Sequence, residues 1–496
     1  MVDRWVCSVC GYVHEGATPP DECPICGVGP EMFEPYQPAT GEPTSAPTSR
    51  WRCTVCGYVH EGDAPPKQCP VCGADASLFV AEPASPQPAA ARVASGTAGR
   101  LVVVGAGVAG VTAAEHARRQ SAELEITLVH REPDLPYHRL NLTRLIAGEV
   151  DPDQLDLRQR RWYQEQRIEL LTGVARRIDL GARQVELEQG QSLSFSRLVL
   201  ATGAHPFIPP IPGTGREAVL PLRTLGHVAS LLERARSGRR CVVIGGGLLG
   251  LETAGGLARR GVEVTVVEGF DWLLPRQLAR PAGALLEARL AGLGVRVVCG
   301  AKVAAIEGDE TARAVRLEDG RELEADVVVL SAGVRPNSYL GRQCGLEVQS
   351  GVVVDDHMRS SAPEVFAAGD VAEHRGRVYG LWPAALAQGR VAGINAAGGE
   401  VRFPGMPPSA QLKVLDVDVF SIGDFMPTDG ASRMVERQGD GTYLRLVCRD
   451  GALVGANLFG DLTLAGEIRS AVESHTQVAD LVRLLELIPE LAAGAE

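Results

Sequence analysis

From Arg100 the chain is patterned in short β-branched runs that alternate with longer helical stretches, as expected of a parallel sheet covered by helices. Leu101-Val-Val-Val-Gly105 opens one such α/β unit and Cys241-Val-Val-Ile-Gly245 opens a second. Beyond about residue 404 the order changes to strands at Leu412–Ile422, Thr442–Cys448 and Leu453–Leu458, then a helix from Thr463 to Ser474 and beyond. The last two strands meet across Arg449-Asp-Gly451, a hairpin signal, and strands followed by helix predict a separate α+β domain. Ahead of Arg100, the 14 residues Gln37–Arg50 and the 18 residues Glu82–Gly99 are rich in Pro, Ala, Ser and Thr. Neither can bury enough apolar surface to order itself, so both are predicted to be linkers, each spanning roughly 20–25 Å root-mean-square.

The residues flanking the first linker form an internal repeat. Trp5-Val-Cys7-Ser-Val-Cys10-Gly-Tyr-Val-His-Glu-Gly returns 46 positions later as Trp51-Arg-Cys53-Thr-Val-Cys56-Gly-Tyr-Val-His-Glu-Gly. The match continues through Cys23-Pro-Ile-Cys26-Gly and Phe33 to Cys69-Pro-Val-Cys72-Gly and Phe79. Each copy holds two CxxC pairs, each followed by Gly, a spacing that lets a tight knuckle present two thiolates to a tetrahedral metal. The ligand sets are Cys7, Cys10, Cys23, Cys26 and Cys53, Cys56, Cys69, Cys72. Four thiolates suit iron and Zn²⁺ alike, so spacing alone leaves the metal open and a zinc-ribbon interaction module remains an alternative. Cys241, Cys299, Cys344 and Cys448 are single and receive no role.

At 496 residues the chain is too long for one core, so several domains are expected. A net charge of −12 argues against a nucleic-acid or anionic-membrane partner, both of which demand a basic footprint. The first residues lack a signal peptide's apolar run and no stretch reaches the roughly 18 apolar residues of a membrane span, so a cytoplasmic location is expected.

Gly105-Ala-Gly107-Val-Ala-Gly110 lies between a strand and a helix, and a second strand ends just before Glu132. Gly245-Gly-Gly247-Leu-Leu-Gly250 repeats the arrangement, with Glu268 after its second strand. Such glycines allow a tight turn and close approach of a pyrophosphate to a helix N-terminus, while the carboxylate binds a ribose hydroxyl. Two dinucleotide sites are therefore predicted. Glu268 would repel a 2′-phosphate and is followed by Gly269-Phe270 rather than an arginine, which favours NADH over NADPH at the second site.

With Leu198-Val-Leu-Ala-Thr202-Gly203 and Val365-Phe-Ala-Ala-Gly369-Asp370, these motifs resemble the two-dinucleotide flavoprotein family that includes glutathione reductase, over roughly residues 100–399. The resemblance implies FAD at the first site, with Asp370 on its ribityl chain, and an NAD-binding domain inserted within the FAD domain. It also implies that Thr202, Gly203 and Gly333 line nucleotide-binding crossovers and that Glu252 lies near the nicotinamide. No Cys lies between Cys72 and Cys241, which argues against the thiol chemistry of the disulfide reductases. Instead, Tyr137-His-Arg139-Leu-Asn-Leu-Thr143-Arg144 and Gly380-Leu-Trp382-Pro-Ala-Ala-Leu-Ala-Gln388-Gly resemble segments beside the flavin in NADH:rubredoxin reductases and in the flavin portion of assimilatory nitrite reductases. Arg144 stands where that family has Lys, so it carries over the charge but not the compact shape. The N-terminal copies resemble the short, rubrerythrin-type rubredoxin domain, which implies one iron in each.

The whole is similar to an FAD-dependent NAD(P)H:rubredoxin oxidoreductase. Its expected fold class is α/β, with two nested Rossmann-like FAD- and NAD-binding domains, two small rubredoxin-like four-cysteine domains and a C-terminal α+β domain. The expected boundaries are 1–38 and 48–82 for the modules, 100–217 with 326–400 for FAD, 218–325 for NAD(P), and 404–496 for a docking domain. The implied path runs from NADH through FAD to the modules and on to a redox protein such as a rubrerythrin-like peroxidase, an oxygen reductase or a monooxygenase. A nitrite-reductase-type flavin component is the other alternative.

Overall fold

The computed structural model describes residues 4–7, 13–15, 18, 20, 30, 33–35, 50–53, 59–67, 76, 79–82, 99–406, 409–427 and 430–488. Cys10, Cys23, Cys26, Cys56, Cys69 and Cys72 lie outside the described residues, as do the side chains of Cys7 and Cys53 and nearly all of both linkers. In each module the described residues form one three-stranded antiparallel sheet. Arg4–Cys7 lies between Val13–Glu15 and Phe33–Pro35, and Arg50–Cys53 lies between Val59–Glu61 and Phe79–Glu82. The register repeats with the sequence, pairing Cys7 with Phe33 and Cys53 with Phe79. In the second module the Trp51 indole donates to the Gly62 carbonyl (3.0 Å) and Phe79 is buried.

From residue 99 the chain divides into two compact units, with residues 205–335 of the second inserted between 204 and 336 of the first. The first unit is built on a five-stranded parallel sheet in the order Val365–Ala367, Arg197–Leu200, Arg100–Val104, Glu125–His130, Ile168–Thr172. Leu101, Val102 and Val103 in its centre have no exposure, which explains their unbroken apolar run. The helices Val108–Gln120 and Trp382–Ala396 of this unit pack at backbone distance. A Cβ on Gly389 would stand 2.4 Å from the Ala109 carbonyl, and one on Gly393 2.1 Å from that of Ala113.

The second unit repeats the parallel sheet with Val219–Pro221, Val327–Leu330, Arg240–Ile244, Glu263–Val267 and Arg296–Val298 in order. It also contains the C-terminal antiparallel sheet, ordered Ser409–Val414, Val417–Gly423, Ala452–Phe459, Thr442–Arg449, Arg433–Gly439, packed with the helix Ala465–Glu473. This differs from the sequence expectation in two ways. The run read as one strand, Leu412–Ile422, is a hairpin that turns at Leu415 and Asp416, both in the left-handed region (φ 51° and 66°). The strand Arg433–Gly439 went unseen because only Val435 of its seven residues is buried.

Within this unit Asn457, with no exposure, clamps three backbone groups. Its Oδ1 accepts the Ala279 N–H (2.8 Å), and its Nδ2 donates to the carbonyls of Gln277 (2.8 Å) and Phe420 (3.2 Å). The C-terminal sheet is thereby tied to the segment that leads into the helix Arg280–Gly292.

Candidate functional site

In the first unit, the N–H of Gly105 donates to the Val129 carbonyl (2.8 Å), so the turn springs directly from the sheet. Gly105 has φ 109°, and a Cβ there would stand 2.2 Å from the Ala201 carbonyl oxygen. On Gly110 it would stand 1.8 Å from the Gly105 carbonyl, whereas on Gly107, at the helix N-cap, it would meet nothing within 4 Å. Two glycines therefore serve the turn, and the third leaves an open cradle at the positive end of a helix. Glu132 accepts from the Tyr137 hydroxyl (2.6 Å) and pairs with Arg139 (2.7 Å), which also lies 4.8 Å over the Tyr137 ring. The Thr202-Gly203 crossover is zipped to Asn337. The Thr202 hydroxyl donates to the Asn337 carbonyl (2.9 Å), the Asn337 amide to the Thr202 carbonyl (2.7 Å), and the Asn337 N–H to the Gly203 carbonyl (2.8 Å).

Asp370 follows Gly369 (φ 80°), whose N–H donates to Gln388 Oε1 (2.9 Å). Trp382 opens the last helix of this unit and stacks on His138, the ring centroids 5.5 Å apart. His138 Nδ1 is buried without a hydrogen-bond partner, and so is Gln388 Nε2. The first site thus offers an open glycine cradle at a helix N-terminus, which fits the pyrophosphate of a bound FAD.

Burial, followed by the nearby Arg158 charge, pushes the His138 imidazole from 6.5 down to about 4. Its folded value lies below its unfolded one, so between those values the unfolded chain holds the extra proton and stability is lost as the pH drops. The loss should be at most about 3 kcal/mol. Thermal melts of the FAD-free chain should show a steeper loss between pH 6.5 and 4 than those of His138→Asn. Equal slopes would remove this role for the imidazole.

The second unit repeats the turn. Gly245 (φ 112°) donates to the Val267 carbonyl (2.8 Å), and a Cβ there would stand 2.3 Å from the Ser331 carbonyl. On Gly250 it would stand 2.1 Å from the Gly245 carbonyl, while Gly247 is open. Glu268, 8% exposed, accepts the N–H of Gly246 (2.7 Å) and of Phe270 (2.9 Å), so the carboxylate meant for the ribose also braces the turn. Gly333 (φ 98°) is open, and its carbonyl accepts the Phe207 N–H (2.9 Å).

Glu252 and Arg144, both in this unit, engage elsewhere. Glu252 accepts the N–H of Leu415 at the C-terminal hairpin tip (3.1 Å), and burial raises its carboxyl pKa. Arg144 pairs with Glu149 (3.2 Å); Glu149 also binds Arg259, which pairs with Asp416 (2.7 Å). Sequence spacing did not single out His138, because its stacking partner Trp382 lies far along the chain.

Two glycine turns, each rising from its own parallel sheet, define an α/β oxidoreductase that holds two dinucleotides. Residues 99–389 match the pyridine nucleotide-disulphide oxidoreductase description. Residues 5–34 and 51–80 match the rubrerythrin, rubredoxin-like domain, and 408–476 the rubredoxin NAD+ reductase C-terminal domain. The chain belongs to the pyridine nucleotide-disulphide oxidoreductase family. FAD and NAD(P)H fit that family, and iron fits domains of the rubredoxin-like kind.

A nitrite reductase [NAD(P)H] of Bacillus subtilis (strain 168) is 35% identical over 395 residues, 79% of this chain and 49% of the relative. The chain thus spans about half the length of that relative. The ferredoxin reductase component of a chlorobenzene dioxygenase from Cupriavidus sp. (strain PS12) is 35% identical over 77% of this chain and 97% of its own. Among solved structures, the NADH:rubredoxin oxidoreductase of Clostridium acetobutylicum superposes with a TM-score of 0.67 at 27% identity, over 77% of this chain and 96% of its own. No helix among the described residues is long and apolar enough to cross a membrane.

Proposed function

We propose that this chain oxidises NADH through FAD and delivers the electrons singly to iron centres in its own two N-terminal modules, from which a downstream redox protein collects them. The observation that carries this is the joining, in one chain, of the flavoprotein fold, two rubredoxin-like domains and a rubredoxin NAD+ reductase C-terminal domain. FAD, when bound, supplies hydride acceptance and one-electron release, so the protein's part is placement and electrostatics. Gly105, Gly107 and Gly110 admit the FAD pyrophosphate, Glu132 and Arg139 its ribose end, and Asp370 its ribityl chain. Thr202 and Gly203 hold the adjoining crossover, and Trp382 flanks the ring. Gly245, Gly247, Gly250 and Gly333 admit NADH, and Glu268 favours it over NADPH. Glu252 and Arg144 are tied into one network with the C-terminal hairpin of their own unit and brace it. The eight module cysteines hold the irons, in a reducing compartment, the cytoplasm, where clustered thiolates stay available to metal. The linker tether raises the effective concentration of the modules towards the millimolar range. The downstream collector is of the peroxidase, oxygen-reductase or monooxygenase kind.

Anaerobic titration with NADH tests this. Two one-electron irons and one two-electron flavin should take up about two equivalents per chain, with the flavin and iron–thiolate bands both bleached. An iron band that persists after the flavin is reduced, or zinc in both modules, would sink the proposal. Turnover faster with NADPH than with NADH would refute the reading of Glu268.

A further inference from the structure

We infer that Gly246 is a specificity-determining residue of the second site, whose N–H and missing side chain hold the Glu268 carboxylate where it meets an NADH ribose and repels a 2′-phosphate. In the pattern Gly-x-Gly-x-x-Gly, Gly246 fills the first open position, which the motif leaves to any residue. Its φ lies outside the left-handed region, so the backbone does not demand glycine there. The space around it does. A Cβ on Gly246 would stand 2.7 Å from Leu273 Cδ2, 3.0 Å from Glu268 Oε2 and 3.1 Å from Glu268 Cβ. Leu273 has no exposure and little room to retreat, whereas Glu268 keeps some, so a methyl group at 246 displaces the carboxylate.

That carboxylate is fixed at both oxygens. Oε2 accepts the Gly246 N–H at 2.7 Å and Oε1 the Phe270 N–H at 2.9 Å, while the Phe270 carbonyl is itself held by the Gly300 N–H at 2.8 Å. The first turn offers a contrast within the same chain. Ala106 fills the equivalent position, and the acid that follows, Glu132, engages the Tyr137 hydroxyl and Arg139. An arginine at 2.7 Å offsets the charge of Glu132, but two uncharged amides leave that of Glu268 intact. The difference matches the tasks of the two sites. FAD has no 2′-phosphorylated twin to refuse, whereas NADH has one in NADPH, and a carboxylate pinned at both oxygens cannot swing aside to admit it.

This rests on NADH occupying the second site with Glu268 at its ribose. The test titrates the oxidised full chain with NAD+ and NADP+ by calorimetry, which measures binding without turnover. Gly246→Ala should lower the preference for NAD+ over NADP+ about fivefold or more, and Gly246→Val further, because the displaced carboxylate loses the ribose and repels the phosphate less. In a Glu268→Ala background the same changes should leave the remaining preference within about twofold, since no carboxylate is there to displace. A preference within about twofold of wild type in both Gly246 variants, or an equal loss in both backgrounds, would overturn the inference, because damage to the turn alone weakens the two nucleotides together. A wild-type chain that prefers NADP+ would overturn the reading of Glu268 as well, so the two failures are distinguishable.

Discussion

Gly245→Ala is expected to leave the chain yellow yet unable to take hydride from NADH at ordinary concentrations, whereas Gly105→Ala is expected to leave it colourless. The two changes are chemically identical. Each puts a methyl group on a residue with φ near +110°, a conformation that costs an L-residue about 1–3 kcal/mol. Each also drives that methyl into a carbonyl of the neighbouring crossover, at 2.3 Å from Ser331 and 2.2 Å from Ala201. Neither carbonyl can retreat easily. The N–H of Ser331 donates to the Ile244 carbonyl, and that of Ala201 to the Val104 carbonyl, so the crossovers are pinned to the strands that launch the turns. Relief must come from displacing the turn itself, and a loss of about 3 kcal/mol in nucleotide binding is more than a hundredfold in affinity. Flavin content by absorbance and NADH affinity by stopped flow read the two outcomes separately. A Gly245 variant that sheds its flavin but still binds NADH would exchange the two assignments.

Asn457→Leu should cause the largest loss of stability from any single side chain of the C-terminal sheet. The substitution keeps the volume but abandons the Ala279 N–H and the carbonyls of Gln277 and Phe420. Each buried orphan costs about 1–3 kcal/mol, so a total of roughly 3 kcal/mol or more is expected. Calorimetry should show the transition of this sheet separating to lower temperature while that of the first parallel sheet stays in place, because a chain of several cores need not melt as one. Asn457→Asp would keep the acceptor for Ala279 and lose the donors, and should fall between. A variant with an unchanged melting profile would mean that the clamp contributes nothing.

What could be read in the sequence was whatever is decided by neighbours in the chain. A glycine turn, its flanking strand and the following acid lie within about thirty residues, so both turns and their acids were legible from Gly105 to Glu132 and from Gly245 to Glu268. The hairpin at Leu415-Asp416 was not, because Leu is a poor turn residue and only the packed unit holds it at φ 51°. Gly255 explains the position. A Cβ there would stand 2.1 Å from the Leu415 side chain, so the hairpin tip occupies the space that the glycine leaves. The engagement of Glu252 with Leu415 joins residues 163 apart, and no spacing rule reaches that far. Arg433–Gly439 escaped for another reason. An edge strand with a single buried residue lacks the alternation by which strands are recognised.

The backbone contact between the helices Val108–Gln120 and Trp382–Ala396 sets limits on change in length. Ala109 faces Gly389 and Ala113 faces Gly393, a step of four on both sides, so the pair is in register like two racks of equal pitch. One residue inserted between Gly107 and Ala113 would turn everything after it by about 100° and bring side chains where only glycine against carbonyl fits. The same holds between Trp382 and Gly393. Lineages descended from this chain can lengthen at the linkers and at the turns of the meander 175–194, but those two stretches can change only by substitution, since any insertion or deletion would break the register of the two contacts.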